Sequence, residues 1–310
     1  RKQILEVHAK KVKLSPDVDL ERMARGTPMF SGADLAALIN EGAILATMAA
    51  KEFVEQADLE EARDKIRYGR ARKSQKIEEK ERIATAYHEA GHAVVQCLLD
   101  GADPVHKVTI IPRGMALGAT FSLPEKDRYG YGKKYLNATI RALCGGRIAE
   151  QRKTAHVSSG AGMDIQMVTR FARHMILEWG MSERLGFVLY SGSDTRDTFI
   201  PEKDYSEQTA RIIDEEVKVV IDAAYADAQR LIDQNWDKVA AIAEALLKYE
   251  TLQGEEVKRI MRGERLGKPT VSELLEAASA KPASAGAAPP KPARPSNEEP
   301  DTGGMMPSPA

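Results

Sequence analysis

Apolar residues recur at helical spacing through most of the chain, and proline and glycine break the pattern at intervals. Over the first 72 residues this period predicts helices at 1–12, 18–25, 31–51 and 58–69, interrupted at Ser15-Pro16 and Gly26-Thr27-Pro28. Ser31 stands just before an apolar run and Asp34 falls three residues later, which suits an N-terminal cap. Residues 70–80 carry charge without an apolar face and read as a linker. A long helix follows near 79–100, and then two β-rich runs, His106 to Pro112 and Gly118 to Pro124, the one convincing strand pair in the pattern. Helices return at about 133–151, 163–179, 204–233, 235–249 and 254–262, with a weaker one near 271–279. From Lys281 alanine, proline, serine and glycine replace the aliphatic residues, so the tail is expected to be disordered. The expected fold is mainly α. A small all-helical domain spans 1–72, a mostly helical second domain with a short β-hairpin or small sheet spans 73–265, and a low-complexity tail spans 266–310.

Composition narrows the function classes. The 310 residues are 43% hydrophobic and 29% charged, which reads as globular and soluble. The formal net charge of -1 lacks the surplus of Lys and Arg that phosphate neutralisation needs, so no nucleic-acid partner is expected. No run of about 18 apolar residues occurs, so nothing in the chain is expected to span a bilayer. Cys97 and Cys144 sit in apolar helical stretches without paired spacing and read as small buried hydrophobes of a reducing compartment. The chain starts inside an amphipathic pattern at Arg1, and is expected to be an excerpt of a longer polypeptide.

The chemistry concentrates in His88-Glu89-Ala90-Gly91-His92, inside the long predicted helix. H-E-x-x-H puts two imidazoles at i and i+4 on one helix face, where both reach a single Zn²⁺. Glu89 lies beside them, able to take a proton from the water that attacks a peptide carbonyl as general base. A catalytic zinc needs a third protein ligand and an open position. Val95 and Leu98 stand where the extended H-E-x-x-H-x-x-G-x-x-H pattern has Gly and His, so the ligand comes from elsewhere. The downstream candidates are His106, Glu150, His156, Asp164, His174 and Glu178, and spacing leaves all of them open. Asp164 follows Ser158-Ser159-Gly160-Ala161-Gly162-Met163 and starts a predicted helix, which would present its carboxylate on a rigid element.

Several separated segments resemble the FtsH-type AAA+ membrane-anchored zinc proteases, from the end of the ATPase module through the peptidase domain. They include Arg25-Gly26-Thr27-Pro28, Phe30-Ser31-Gly32-Ala33-Asp34-Leu35, Thr85-Ala86-Tyr87 leading into the metal motif, and Ile111-Pro112-Arg113-Gly114 with Leu117-Gly118. Gly145-Gly146-Arg147-Ile148-Ala149-Glu150, Ser158-Ser159-Gly160-Ala161 with Asp164-Ile165, and Lys248-Tyr249-Glu250-Thr251-Leu252 continue the match to about residue 262. Met29 departs from it, standing where the family usually has Gly, and Gly162-Met163 replaces the more common Ser-Asn. The resemblance implies that Asp164 is the third ligand of one zinc per chain, with His88 and His92, and that residues 1–72 are the helical lid of an AAA+ module. It also implies a homo-hexamer, unfolded or membrane protein substrates, membrane-embedded regulators, and anchoring in a bacterial inner membrane, cytoplasmic face, or an organellar equivalent. ATP and Mg²⁺ would belong to the full-length protein only, since no G-x-x-x-x-G-K-[ST] loop occurs in this chain. Two rivals follow from the same residues: a proteolytically dead assembly module, and a zinc hydrolase acting on small amides.

Overall fold

A computed structural model describes residues 1–72, 77–114, 116–124, 128, 130–190, 205–270 and 273. The predicted helix at 271–279 falls outside them except at residue 273, and the tail from Lys281 lies wholly outside. Four helices open the chain: α1 (Lys2–Ala9), α2 (Leu20–Arg25), α3 (Gly32–Met48) and α4 (Gln56–Tyr68). Their apolar stripes close on one another through Leu5, Met23, Leu35, Leu38 and Leu59, all fully buried. The cap at Ser31 forms as the residue types require. Its hydroxyl accepts from Asp34 N at 3.2 Å and Asp34 Oδ2 accepts from Ser31 N at 2.8 Å. Met29, just before it, has φ of 67°, in the left-handed region where glycine is the least strained residue.

The second part is built around α5 (Glu79–Leu98), which carries the metal motif. After it come β1 (Val105–Thr109), β2 (Ala119–Ser122), α6 (Lys133–Thr154), α7 (Gly162–Leu177), α8 (Glu207–Gln234), α9 (Trp236–Tyr249), β3 (Thr251–Gln253) and α10 (Gly254–Met261). The sheet has three antiparallel strands in the order β2-β1-β3, one more than the expected pair. The three residues of β3 fill the gap between two helices, and Glu250 at φ 60° turns the chain into it. A single hydrophobic core joins Ala86, Ala90, Ala93 and Val94 of α5 to Leu136 and Ile140 of α6, Val108 of β1, and Ile242 and Leu246 of α9. Cys144 is buried, as expected, but Cys97 is exposed: its position on α5 turns away from that core. Among the described residues no helix is long and apolar enough to cross a membrane.

Helices α5 and α6 cross with their backbones almost touching. A Cβ on Gly91 would lie 2.3 Å from Gly145 O, and one on Gly145 would lie 2.7 Å from Gly91 O. No other residue type fits at either place, and this crossing sets how near α6 comes to the metal motif.

Both parts of residues 1–271 belong to one compact unit. They meet at Asp64 of α4, a fully buried carboxylate. It accepts from Arg63 at 2.7 and 3.0 Å and pairs with Lys107 Nζ of β1. Burial alone would raise the Asp64 pKa, but the charges of Arg63 and Lys107 outweigh it and hold the group below the usual carboxylate range. A depressed carboxylate contributes stability that is present above its unfolded pKa, about 3.9, and is lost as pH falls below it. Asp64→Asn leaves two buried cations without their counter-charge and should cost about 3–5 kcal/mol at neutral pH. Urea melts should show that difference at pH 7 and a smaller one near pH 3.

Candidate metal centre

Helix α5 fixes the first two donors because residues four apart share a face. His88 Nε2 and His92 Nε2 are 3.0 Å apart. Asp164, in the first turn of α7, brings Oδ2 to 3.1 Å from the first and 3.3 Å from the second. Among the described residues this is the one cluster of three or more His, Cys, Asp or Glu groups whose donor atoms converge, all within 4.8 Å.

Helix α6 aims the imidazoles with one stripe of residues four apart. Ala142 O accepts from His92 Nδ1 at 2.8 Å, and Glu150 Oε2 accepts from His88 Nδ1 at 3.1 Å. Because a carbonyl and a carboxylate only accept, both Nδ1 atoms carry a proton, so each Nε2 is the nitrogen that would offer its lone pair to a cation held in the cluster. Gly146 lies between these two residues on the stripe, and a Cβ there would fall 2.4 Å from His92 Nε2 and 2.7 Å from His88 Nε2. Glu150 is itself tied to the loop before α7, accepting from Ser158 Oγ. Ser158 in turn accepts from Gly160 N at 3.0 Å. The segment that delivers Asp164 is therefore anchored to the residue that orients His88.

The donor set suits a cation. Two lone-pair nitrogens and a carboxylate oxygen in contact repel one another unless positive charge lies between them. Burial lowers the His88 pKa, yet hydrogen bonding to Asp164 and Glu150 outweighs it and lifts the value to about 10. Burial would raise Asp164, but its bonds to His88 and His92 carry it far below the usual carboxylate range. A proton fills the role that a metal would take. Tetrahedral zinc with arms of ~2.0–2.1 Å has donors about 3.3–3.4 Å apart, close to the separations found here.

Glu89 is buried beside the donors without joining them. Its Oε2 accepts from Thr120 Oγ1 of β2 at 2.7 Å. Burial raises its pKa against the opposing pull of His92, His88 and Thr120, which makes it a stronger proton acceptor than an exposed carboxylate. The remaining candidates lie elsewhere. His106 is buried 4.0 Å from Glu60, and burial with the Arg63 charge pushes its pKa down to about 4, so it is neutral and that contact is no ion pair. His156 is exposed, and His174 pairs with Glu178 at 2.8 Å and stacks on Trp179.

A helix with two imidazoles at i and i+4, a carboxylate donor from a separate helix and a buried glutamate alongside define the class of zinc metallopeptidases. Residues 75–260 match peptidase family M41, and residues 17–61 match the AAA+ lid domain. The chain belongs to peptidase family M41. It is 51% identical over 274 residues to the ATP-dependent zinc metalloprotease FtsH 2 of Methylacidiphilum infernorum, covering 87% of this chain and 43% of that protein. It is 50% identical over 269 residues to the ATP-dependent zinc metalloprotease FtsH of Magnetococcus marinus, covering 85% and 40%. The FtsH of Haemophilus influenzae is 44% identical over 277 residues, covering 87% and 44%. The chain thus spans less than half the length of these relatives, and carries an AAA+ lid followed by a zinc metallopeptidase domain.

Proposed function

We propose that His88, His92 and Asp164 hold one zinc and that Glu89 is the general base of an endopeptidase. The observation that carries this reading is the convergence of the three donor atoms, with the Glu89 carboxylate alongside but outside the cluster. When bound, zinc supplies the Lewis acidity that activates a water and the scissile carbonyl. Glu89 takes the proton of the attacking water and delivers it to the amine that leaves as the peptide bond breaks. His88 and His92 are held for this by Glu150 and Ala142. Residues 1–72 form the lid and 73–265 the peptidase, with 266–310 a tail outside the catalytic part.

The edge strand β2 supports a role in substrate binding. It pairs with β1 on one side, and Thr120 brings it to Glu89. An unfolded segment added along its other edge would be held by main-chain hydrogen bonds with loose side-chain selection, as broad proteolysis requires. In the whole protein, a hexamer anchored in a membrane would receive membrane and soluble protein substrates, with ATP and Mg²⁺ bound by the part upstream of the lid. Membrane-embedded regulators would act on that assembly.

Zinc-loaded chain should cleave unfolded casein, a chelator should stop it, added zinc should restore it, and ATP should leave the rate unchanged. Undiminished cleavage after zinc has been removed would overturn the reading.

A further inference from the structure

The Thr120 hydroxyl meets the Glu89 carboxylate from a strand that is itself gripped by the lid. Thr120 Oγ1 lies 2.7 Å from Glu89 Oε2, and it donates, because an ionised carboxylate only accepts. That bond engages one carboxylate oxygen and leaves the other for the proton of an attacking water. The strand comes this close because residue 118 is glycine: a Cβ there would sit 2.8 Å from Glu89 Cγ and Oε1. The next residue, Phe121, is buried, and its ring meets the Tyr68 ring of α4 edge-on, with centroids 4.7 Å apart at 74°. On its other flank Lys107 Nζ, paired with Asp64 of α4, lies 5.1 Å from the Phe121 centroid. Lys107 and Phe121 are also partners in the β1–β2 register. One residue of β2 is therefore clamped by the lid and its neighbour touches the general base.

We infer that Thr120 is a positioning residue that aims Glu89, and that Tyr68 of the lid holds the hairpin in the place where Thr120 can do so. This rests on the reading of Glu89 as general base. A base turned out of line still leaves zinc and substrate binding intact, so the loss falls on kcat rather than KM. Valine keeps the shape and strand preference of threonine without the hydroxyl, and serine keeps the hydroxyl.

The test is steady-state cleavage of a short fluorogenic peptide by the zinc-loaded chain, with zinc content measured for each variant. Thr120→Val should lower kcat about tenfold, with KM within about twofold and zinc content unchanged, and Thr120→Ser should recover most of the loss. Tyr68→Ala should lower kcat about threefold, Tyr68→Phe should not, and Tyr68→Ala with Thr120→Val should be no slower than Thr120→Val alone. Full kcat in Thr120→Val, loss of its zinc, or failure of serine to rescue would overturn the role of Thr120. Multiplying losses in the double variant would overturn the lid anchor. If Thr120→Val does not fold, Thr120→Ala against Thr120→Ser puts the same question. An inactive wild-type chain would instead sink the peptidase reading itself, so the two failures are told apart.

Discussion

Gly146→Ala should abolish zinc binding and lower peptidase activity by more than about 100-fold, although it adds a single methyl group. That methyl would stand 2.4 Å from His92 Nε2 and 2.7 Å from His88 Nε2, in the space where the donor atoms meet. The imidazoles can yield only by turning, which breaks the bonds from His92 Nδ1 to Ala142 O and from His88 Nδ1 to Glu150. The helices cannot part instead without opening the Gly91–Gly145 crossing, which carries the adjoining core. Alanine is also the better helix former, by about 1 kcal/mol, so a collapse of α6 is not the expected route. Zinc analysis and circular dichroism on the same sample would separate the two effects. A folded variant with full zinc would mean that α6 lies farther from the two imidazoles than these distances require.

Glu89→Gln should lower peptidase activity by at least about 10²–10⁴-fold and leave zinc bound. The amide has nearly the shape of the carboxylate and is outside the donor cluster, so His88, His92 and Asp164 are undisturbed. It has no basic oxygen for the proton of the attacking water. Glu150 is committed to His88 and Ser158. Near wild-type cleavage by this variant, with zinc present, would remove Glu89 from the role.

How much of this was legible in the residues depends on where each piece of chemistry is written. Two imidazoles and a glutamate within five residues of one helix announce themselves, because helix geometry alone brings them together. The proposed third ligand is a tertiary contact, so spacing leaves six candidates open; the predicted helix start and, more strongly, the resemblance favour Asp164, whose Oδ2 lies at the two nitrogens in the structure. The supporting stripe on α6 was not legible at all. Ala142 acts through its backbone carbonyl, and Gly146 by having no side chain, so neither residue type signals the role. Glu150 could be read only as one more possible ligand, yet it binds the far nitrogen of His88. In the fold, the cap at Ser31 was explicit in the residue types. The strand β3 was hidden, since three residues are too few to show a period and their pairing with β1 is long-range. Cys97 was misplaced because an apolar neighbourhood in sequence does not say which way one helix position faces.

The zinc stoichiometry of purified Asp164→Ala, measured beside the wild-type chain, tests the metal centre most directly. About one zinc per wild-type chain and a large loss in the variant are expected, because two imidazoles alone leave the site one protein ligand short. Full zinc occupancy in Asp164→Ala would contradict this, since the centre would then be completed by a residue other than the one that meets His88 and His92.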